Sequence, residues 1–457
     1  MKILISTWGN PWKDFSKEEL RWVKTTYEYE DKKDSHSSFQ VLYEKLKPNK
    51  SIIISLDTLA DSSVLSNGNN ITYKDIKNNA EEQIKLFIEK KLNMKIKDIK
   101  IFVLPGVGTF KKSNNNKTRI FKGLMLDYYY CILYRISKFI IELIEKNPED
   151  EKIIIHLDLT HGINFMPVLT YRAIREIAGI LAFTKNVIFN VYNSDPYNYF
   201  AKNTILKIQK VESTEIIMNP YDKLLSGTNK YVQINKEFCE KYKNNEVKGK
   251  IFRSISNHCK LDDKRINAFL SSIYNGFPLA LFTFFPNGSA IQECIDYGIT
   301  LFEGHTTINT SQKDILFSVE HNVNFTKDFA TYIITWLSTK IIKNIILNPY
   351  NIEVPLKCIK DFSEKLYSKN KRIISQIEKE IFSIEKKENI TDKWEIYAAI
   401  LGGCTSGEID FRNFMAHSGF EKNAICIRKD NNEIILKYKK ELIKTIRKHC
   451  INGLKRN

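Results

Sequence analysis

The chain has 457 residues, about three times the ~150 of an average domain, so two or three folding units are expected and a single small scaffold is excluded. Hydrophobic residues make up 43% and charged residues 27%, enough apolar content for ordinary globular cores and too much for long disorder. Seventy Lys and Arg against fifty-three Asp and Glu leave a net charge of +17, which favours polyanions such as nucleic acid or acidic lipid, or else spreads over a solvated basic surface.

The first ten residues, MKILISTWGN, carry one Lys before an apolar run too short for a signal sequence, and nowhere do eighteen apolar residues follow one another. A cytoplasmic protein with reduced thiols and no membrane contact is expected. The eight cysteines are scattered without a C-x-x-C pair, and the eight histidines form no H-E-x-x-H cluster. No G-x-x-x-x-G-K-[ST] or G-x-G-x-x-G follows a predicted strand. No metal and no other cofactor is therefore expected.

Short apolar runs come first: Lys2–Ser6, Ser51–Asp57, Ile99–Leu104, Lys152–Leu159 and Val187–Asn193. Between them lie amphipathic stretches, Asp75–Leu92, Gly123–Glu145 and Met166–Ala182. The alternation predicts a parallel sheet covered by helices, a Rossmann-like half. A further strand is expected over Thr204–Val211, and past Asn219-Pro220 the chain reads mainly helical from Tyr221 to Phe282. Turns at Pro-Asn-Gly, Tyr-Gly and Glu-Gly then separate β-like pieces around Ile299–Phe302 and Ile315–Val319. Helical periodicity returns over Asp328–Leu347, Asp361–Lys387, Asp392–Leu401 and Glu433–Cys450. The expected fold is α/β plus all-α, in four parts: a ligand-binding Rossmann-type domain over 1–217, a helical connector over 218–285, a β-rich insertion over 286–327 and a helical domain over 328–457. Ser113–Lys117 reads as a polar loop, and the connector's Lys248, Lys250, Arg253, Lys260, Lys264 and Arg265 as a solvated helix face or a surface for single-stranded RNA.

In an open parallel sheet, ligands collect beyond the carboxyl ends of the strands. Three such loops mix glycines with hydroxyl, amide or imidazole groups: Ser6-Thr7-Trp8-Gly9-Asn10-Pro11-Trp12, Leu104–Thr109 and Asp158–Met166. Ordinary strand-to-helix turn chemistry accounts for any one of them. Three on one edge, with Trp8 and Trp12 expected to be exposed and able to stack on a base, point to a nucleotide-like ligand. The Thr160-His161-Gly162 step is expected to open a helix whose free N–H groups favour a phosphate, and His161 can serve as an acid or base beside a phosphodiester.

The sharpest chemical signal is Gly407–Gly419. Asp410 or Ser406 can cap a helix of about two turns, Gly419 stands where a left-handed residue ends it, and Arg412 and His417 fall near its two ends. Five residues at 100° each set their side chains about 140° apart, so they converge only if the helix ends between them or if two copies meet on a two-fold axis. Arg and His without a metal suit cleavage of an RNA phosphodiester by its own 2'-OH. A histidine moves a proton near neutrality, an effect of about 100- to 10,000-fold, and a guanidinium offers a fork of donors to the charged phosphorane. The competing reading is structural: Arg412 pairs with Glu408 or Asp410, and His417 caps the helix.

Arg412-Asn413-Phe414-Met415-Ala416-His417 resembles the R-x-x-x-x-H signature of the HEPN superfamily, and the Asp158–Met166 loop resembles the ligand loop of CARF domains. A CARF half, a helical connector, a β insertion and a HEPN half in this order are similar to the Csx family of accessory ribonucleases in type III CRISPR systems, over essentially the whole chain. The resemblance implies a homodimer whose paired CARF domains bind a cyclic oligoadenylate, most often the tetra-adenylate, as activator. It also implies a composite HEPN centre in which Arg412 and His417 from two protomers act on single-stranded RNA, with Asn413 assisting. By the same analogy the ligand touches Thr7, Gly9, Asn10, Thr160, His161, Gly162 and Asn164, this last where some relatives carry a basic residue. Two other classes stay open: a CARF-type transcription factor that binds duplex DNA, and an enzyme that degrades the cyclic nucleotide in the CARF pocket.

Overall fold

The computed structural model describes residues 1–13, 19–67, 71–111, 118–197, 204–227, 230–235, 245–310, 315–346 and 352–455. The Ser113–Lys117 loop and the Lys248 side chain lie outside them. Five of the N-terminal strands are β1 (Lys2–Thr7), β2 (Thr25–Tyr29), β3 (Asp31–Ser35), β4 (Lys50–Leu56) and β5 (Ile99–Leu104), and a hairpin of β6 (Gly108–Lys111) and β7 (Thr118–Lys122) follows. Then come β8 (Lys152–Asp158), β9 (Asn186–Ser194) and β10 (Ile205–Ile216).

Eight of these form one sheet in the order β3-β2-β10-β9-β8-β1-β4-β5. Its centre, β9-β8-β1-β4-β5, is parallel throughout. β1 is buried at five of its six positions, as a strand covered on both faces must be, and its run of Ile, Leu and Ser supplies no outward polar face. The chain winds from β1 out to β4 and β5, then crosses back to β8 and β9 on the other side of β1. The β1/β8 boundary is thus the topological switch point, and the loops after these two strands flank the crevice where such sheets hold ligands.

Helices Tyr73–Lys90, Met125–Lys146 and Met166–Leu181 lie within a residue or two of the amphipathic stretches. Thr72 and Asp75 close a reciprocal cap at the start of the first, which fixes its entry from the preceding loop. The sequence reading missed the β2–β3 hairpin, the helix Ser38–Leu46 and the β6–β7 hairpin.

Beyond β10 the mainly helical half begins. Helices run over Asn245–His258, Asp263–Asn275 and Pro278–Thr283, preceded by the short strand β11 (Val232–Ile234). Ile299–Phe302, expected as β, lies inside a helix, Gly288–Gly304, that Asn287 caps through the backbone N–H groups of Ser289 and Ala290. Turn dipeptides such as Tyr297-Gly298 do not break it, because Gly298 packs against Phe329 and Tyr231. The β structure of this region is β12 (Thr306–Asn309), β13 (Ile315–His321) and β14 (Val323–Phe325). It is no free-standing insertion: β13 pairs in parallel with β7, giving a four-stranded sheet β12-β13-β7-β6 shared by both halves, and β14 pairs with β11.

The remaining helices are Lys327–Lys343, Leu356–Tyr367, Lys371–Glu385, Tyr397–Ile400, Phe411–Ala416 and Ile443–Lys455. The stretch Asp361–Lys387 is thus two helices, with Asn370 capping the second. Glu433–Tyr438, read as helix, is a strand, β18. It joins β15 (Val354–Pro355), β16 (Glu395–Ile396) and β17 (Ile425–Asp430) in an antiparallel sheet β15-β18-β17-β16. One continuous hydrophobic cluster runs from Ile3 to Cys450, so the two halves share a core. Cys259 and Cys294 are paired as a disulfide, against the reduced thiols expected. Among the described residues no helix is long and apolar enough to cross a membrane, and no group of three or more His, Cys, Asp or Glu is placed to hold a metal.

Candidate active site and ligand loops

The short helix Phe411–Ala416 carries the Arg/His string. Asp410 caps its start by accepting the Asn413 N–H at 2.7 Å. The helix ends at Ala416, and His417 is its C-terminal cap, donating its N–H to the Asn413 carbonyl at 3.0 Å. Ser418 and Gly419 then turn left-handed, with φ of 50° and 82°. Gly419 is needed there, since its N–H reaches the Phe414 carbonyl and a Cβ would stand 3.0 Å from the Tyr438 hydroxyl.

Only Phe414 of the helix is buried, packed on Phe277 and Tyr438; Arg412, Asn413 and His417 are exposed. Neither Glu408 nor Asp410 forms an ion pair with Arg412 among the described residues, so the salt-bridge reading of that residue finds no partner there. The His417 ring does not cap the helix; its Nδ1 lies 3.0 Å from Glu380 Oε1 on the helix Lys371–Glu385. Arg412 and His417 of one chain form no hydrogen bond with each other among the described residues, consistent with the angular step between them. Glu380 was not singled out from sequence. It sits 37 positions before His417, and no spacing rule connects the two helices.

The CARF-like loops are built differently. Thr7 ends β1 and is fully buried, and its Oγ1 has no hydrogen-bond partner among the described residues. Gly9 donates its N–H to the His161 carbonyl at 2.8 Å, which ties the loop after β1 to the loop after β8. A Cβ on Gly9 would meet Ile163 at 2.7 Å, and one on Gly162 would meet Thr7 Oγ1 at 2.4 Å, so these two glycines exist for close approach. Asn10 turns its amide back onto the Trp12 N–H at 3.0 Å. Thr160 Oγ1 accepts from the Ser194 N–H at 3.1 Å, and its own N–H donates to Asp158 at 3.1 Å. Asn164 is exposed and left-handed, with φ of 49°.

His161 stacks on Trp22 with ring centres 4.0 Å apart, and its Nε2 accepts the Ser38 N–H at 3.3 Å. Burial pulls its pKa down to about 4, with the nearby Asp158 opposing, so it is neutral near pH 7 with the proton on Nδ1. The helix after this loop starts only at Met166, and the backbone N–H groups of Thr160 and Gly162 are already used within the loop. The Thr160-His161-Gly162 step therefore does not open the helix as expected.

Two further expectations fail. Trp8 and Trp12 are buried: Trp8 packs edge-on to Trp22, Phe39 and Phe87, and the Trp12 indole donates to the Gln83 carbonyl. The half-buried Trp22 and the buried Tyr27 are aromatics beside the loops, both against His161. The Leu104–Thr109 loop does not join the other two either, because β5 is the sheet's far edge strand and the Gly106 N–H is bound to Asp57 at 2.7 Å. What sequence reasoning missed is Asp158, buried at the end of β8, where it accepts from Ser6 and Ser38 and holds the crevice floor together.

Comparison with known proteins assigns both halves. A family model described as "CRISPR system endoribonuclease Csx1, CARF domain" matches residues 3–196, which include both ligand loops. One described as "CRISPR system endoribonuclease Csx1, HEPN domain" matches residues 370–441, which include Glu380, Arg412 and His417. The chain is 33% identical to the CRISPR system endoribonuclease Csx1 of Methanocaldococcus jannaschii, over its whole length and 94% of that protein. With a CARF domain at the β1/β8 crevice and a HEPN domain around Phe411–Ala416, the chain belongs to the Csx1 family of CRISPR system endoribonucleases.

Proposed function

We propose that the protein is a cytoplasmic, single-stranded-RNA endoribonuclease of type III CRISPR antiviral defence, switched on by a cyclic oligoadenylate, the tetra-adenylate foremost. The activator lies across the paired CARF domains of a homodimer, over Thr7, Gly9, Asn10, Thr160, His161, Gly162 and Asn164. Two copies of Arg412, Asn413 and His417 meet on the dimer axis and cut RNA without a metal. The observation that carries this reading is the solvent-facing pair at the two ends of the Phe411–Ala416 helix: an arginine free of Glu408 and Asp410, and a histidine whose ring is held, among the described residues, at one nitrogen.

In the reaction His417 takes the proton from the attacking 2'-OH or gives one to the departing 5'-oxygen. The 2'-oxygen–phosphorus bond forms, the phosphorus–5'-oxygen bond breaks, and the fragments end in a 2',3'-cyclic phosphate and a 5'-hydroxyl. Arg412 holds the phosphorane charge with its fork of donors, and Asn413 positions the phosphate or the histidine. Degradation of the activator by His161 is disfavoured, because its Nε2 already accepts from Ser38 and its ring is stacked on Trp22.

The test is cleavage of labelled single-stranded RNA in EDTA, with and without cyclic tetra-adenylate. Fragments bearing 2',3'-cyclic phosphate only when activator is present are the expected result. Activator binding without cleavage, together with tight binding of duplex DNA, would move the assignment to a ligand-responsive transcription factor.

A further inference from the structure

Helix Lys371–Glu385 is amphipathic, with Ile377, Ile381 and Ile384 buried in the core. The face beside that stripe meets the catalytic turn. Gln376 donates from Nε2 to the carbonyls of Met415, at 3.3 Å, and Ala416, two of the last carbonyls of the short helix, which no intrahelical donor reaches. Four residues on, and so one turn along the same face, Glu380 places Oε1 3.0 Å from His417 Nδ1. One helix therefore grips both the backbone before His417 and its ring.

The Glu380 side chain is 13% exposed and the His417 side chain 49%, so the carboxylate is fixed in the protein while the ring extends toward solvent. Glu380 makes no other ion pair among the described residues. An ionised carboxylate only accepts hydrogen bonds, which settles the proton's place: Nδ1 must carry a hydrogen whenever the contact exists. The neutral ring then has its lone pair on Nε2 and the protonated ring has a hydrogen there. In either state the nitrogen that exchanges a proton with RNA is Nε2.

We propose that Glu380 is the positioning residue of His417, holding the ring in one tautomer and orientation with Nε2 toward the substrate. The proposal rests on the reading of His417 as catalytic. Glu380 touches neither RNA nor the reacting atoms; it acts through the histidine alone.

The test compares steady-state cleavage by the full-length protein, Glu380→Ala, Glu380→Gln and His417→Ala, each with the activator that drives the parent fastest. Losing an orienting partner of this kind costs about 10- to 10,000-fold in rate. Glu380→Ala is expected to lose that much kcat with KM and melting temperature close to the parent's. Glu380→Gln keeps the size and reach of the side chain but can turn its amide N–H toward Nδ1 and favour the wrong tautomer, so it is expected to lose kcat as well while keeping the parent's melting temperature. Parental kcat in Glu380→Ala overturns the proposal. So does an equal loss in both Glu380 variants with a lowered melting temperature, which marks a merely structural contact. Parental cleavage by His417→Ala would instead overturn the reading of the site itself, whatever the Glu380 variants do.

Discussion

The β1/β8 crevice and the turn after the Phe411–Ala416 helix place a histidine in opposite circumstances. His161 is stacked, bonded at Nε2 and kept neutral by burial, within loops so close that two glycines are needed for them to pass. His417 stands at the end of a six-residue helix with one hydrogen bond to its ring among the described residues and half its side chain in water. The first is part of a closely packed wall. The second is open to solvent. An imidazole thus gains or loses chemical availability from its neighbours, and on the function proposed the difference separates recognition from reaction.

The contrast is broken most easily at the turn. His417→Ala should lower RNA cleavage by about 100- to 10,000-fold. Its unfolding free energy should stay within about 0.5 kcal/mol of the parent's, as for an exposed site. A large stability loss in urea titration would show that the ring is structural after all. Arg412→Lys keeps the charge and removes the fork, so a loss of about 10- to 100-fold in kcat at unchanged stability is expected.

At the crevice the order reverses. Gly162→Ala drives a methyl group into Thr7 and Pro167 and should cost about 1–3 kcal/mol in urea unfolding, while raising the activator concentration needed for half-maximal cleavage. An unchanged unfolding midpoint would mean the two loops are not packed as described. The smallest effect is on pH. His161 and His156 both have pKa values lowered by burial from 6.5 to about 4. Between those values the unfolded chain binds protons that the folded chain does not, so stability falls as the medium is acidified. Each histidine should account for about 1–2 kcal/mol between pH 7 and pH 5. His161→Phe, which keeps a ring on Trp22, should remove its share of the slope.

How legible these regions were in the sequence follows from the same physics. The parallel strands announce themselves because a strand buried on both faces must be apolar throughout, as Lys2–Thr7 and Lys152–Asp158 nearly are. The end of the short helix was readable from Asp410 and Gly419, whose roles are local. Glu380 was not, because its partner is set by the packing of two helices. Trp8 and Trp12 misled: a glycine-rich loop suggests exposure, yet the pocket formed by Phe39, Phe87 and Trp22 comes from three distant segments. The strand β18 had a signal that went unread. Asn431 and Asn432 both take positive φ, 48° and 67°, as a two-residue hairpin turn demands, and Asp430 faces Glu433 across it. The lysines around Ile434–Leu436 pointed to a helix instead.

The shared sheet β12-β13-β7-β6 bears on how such a chain can be rearranged. β7 lies within the segment matched as CARF, while its parallel neighbour β13 comes almost two hundred residues later. Asp127, at the start of the helix after β7, takes its hydrogen bonds from Asn324 and the Phe325 N–H across the same seam. A recombination event joining this sensor to a foreign effector at residue 217 would leave β7 with a bare backbone edge and Asp127 a buried acid without its donors. A chimaera that keeps the N-terminal sheet intact is therefore expected to need the whole stretch through Phe325 with it.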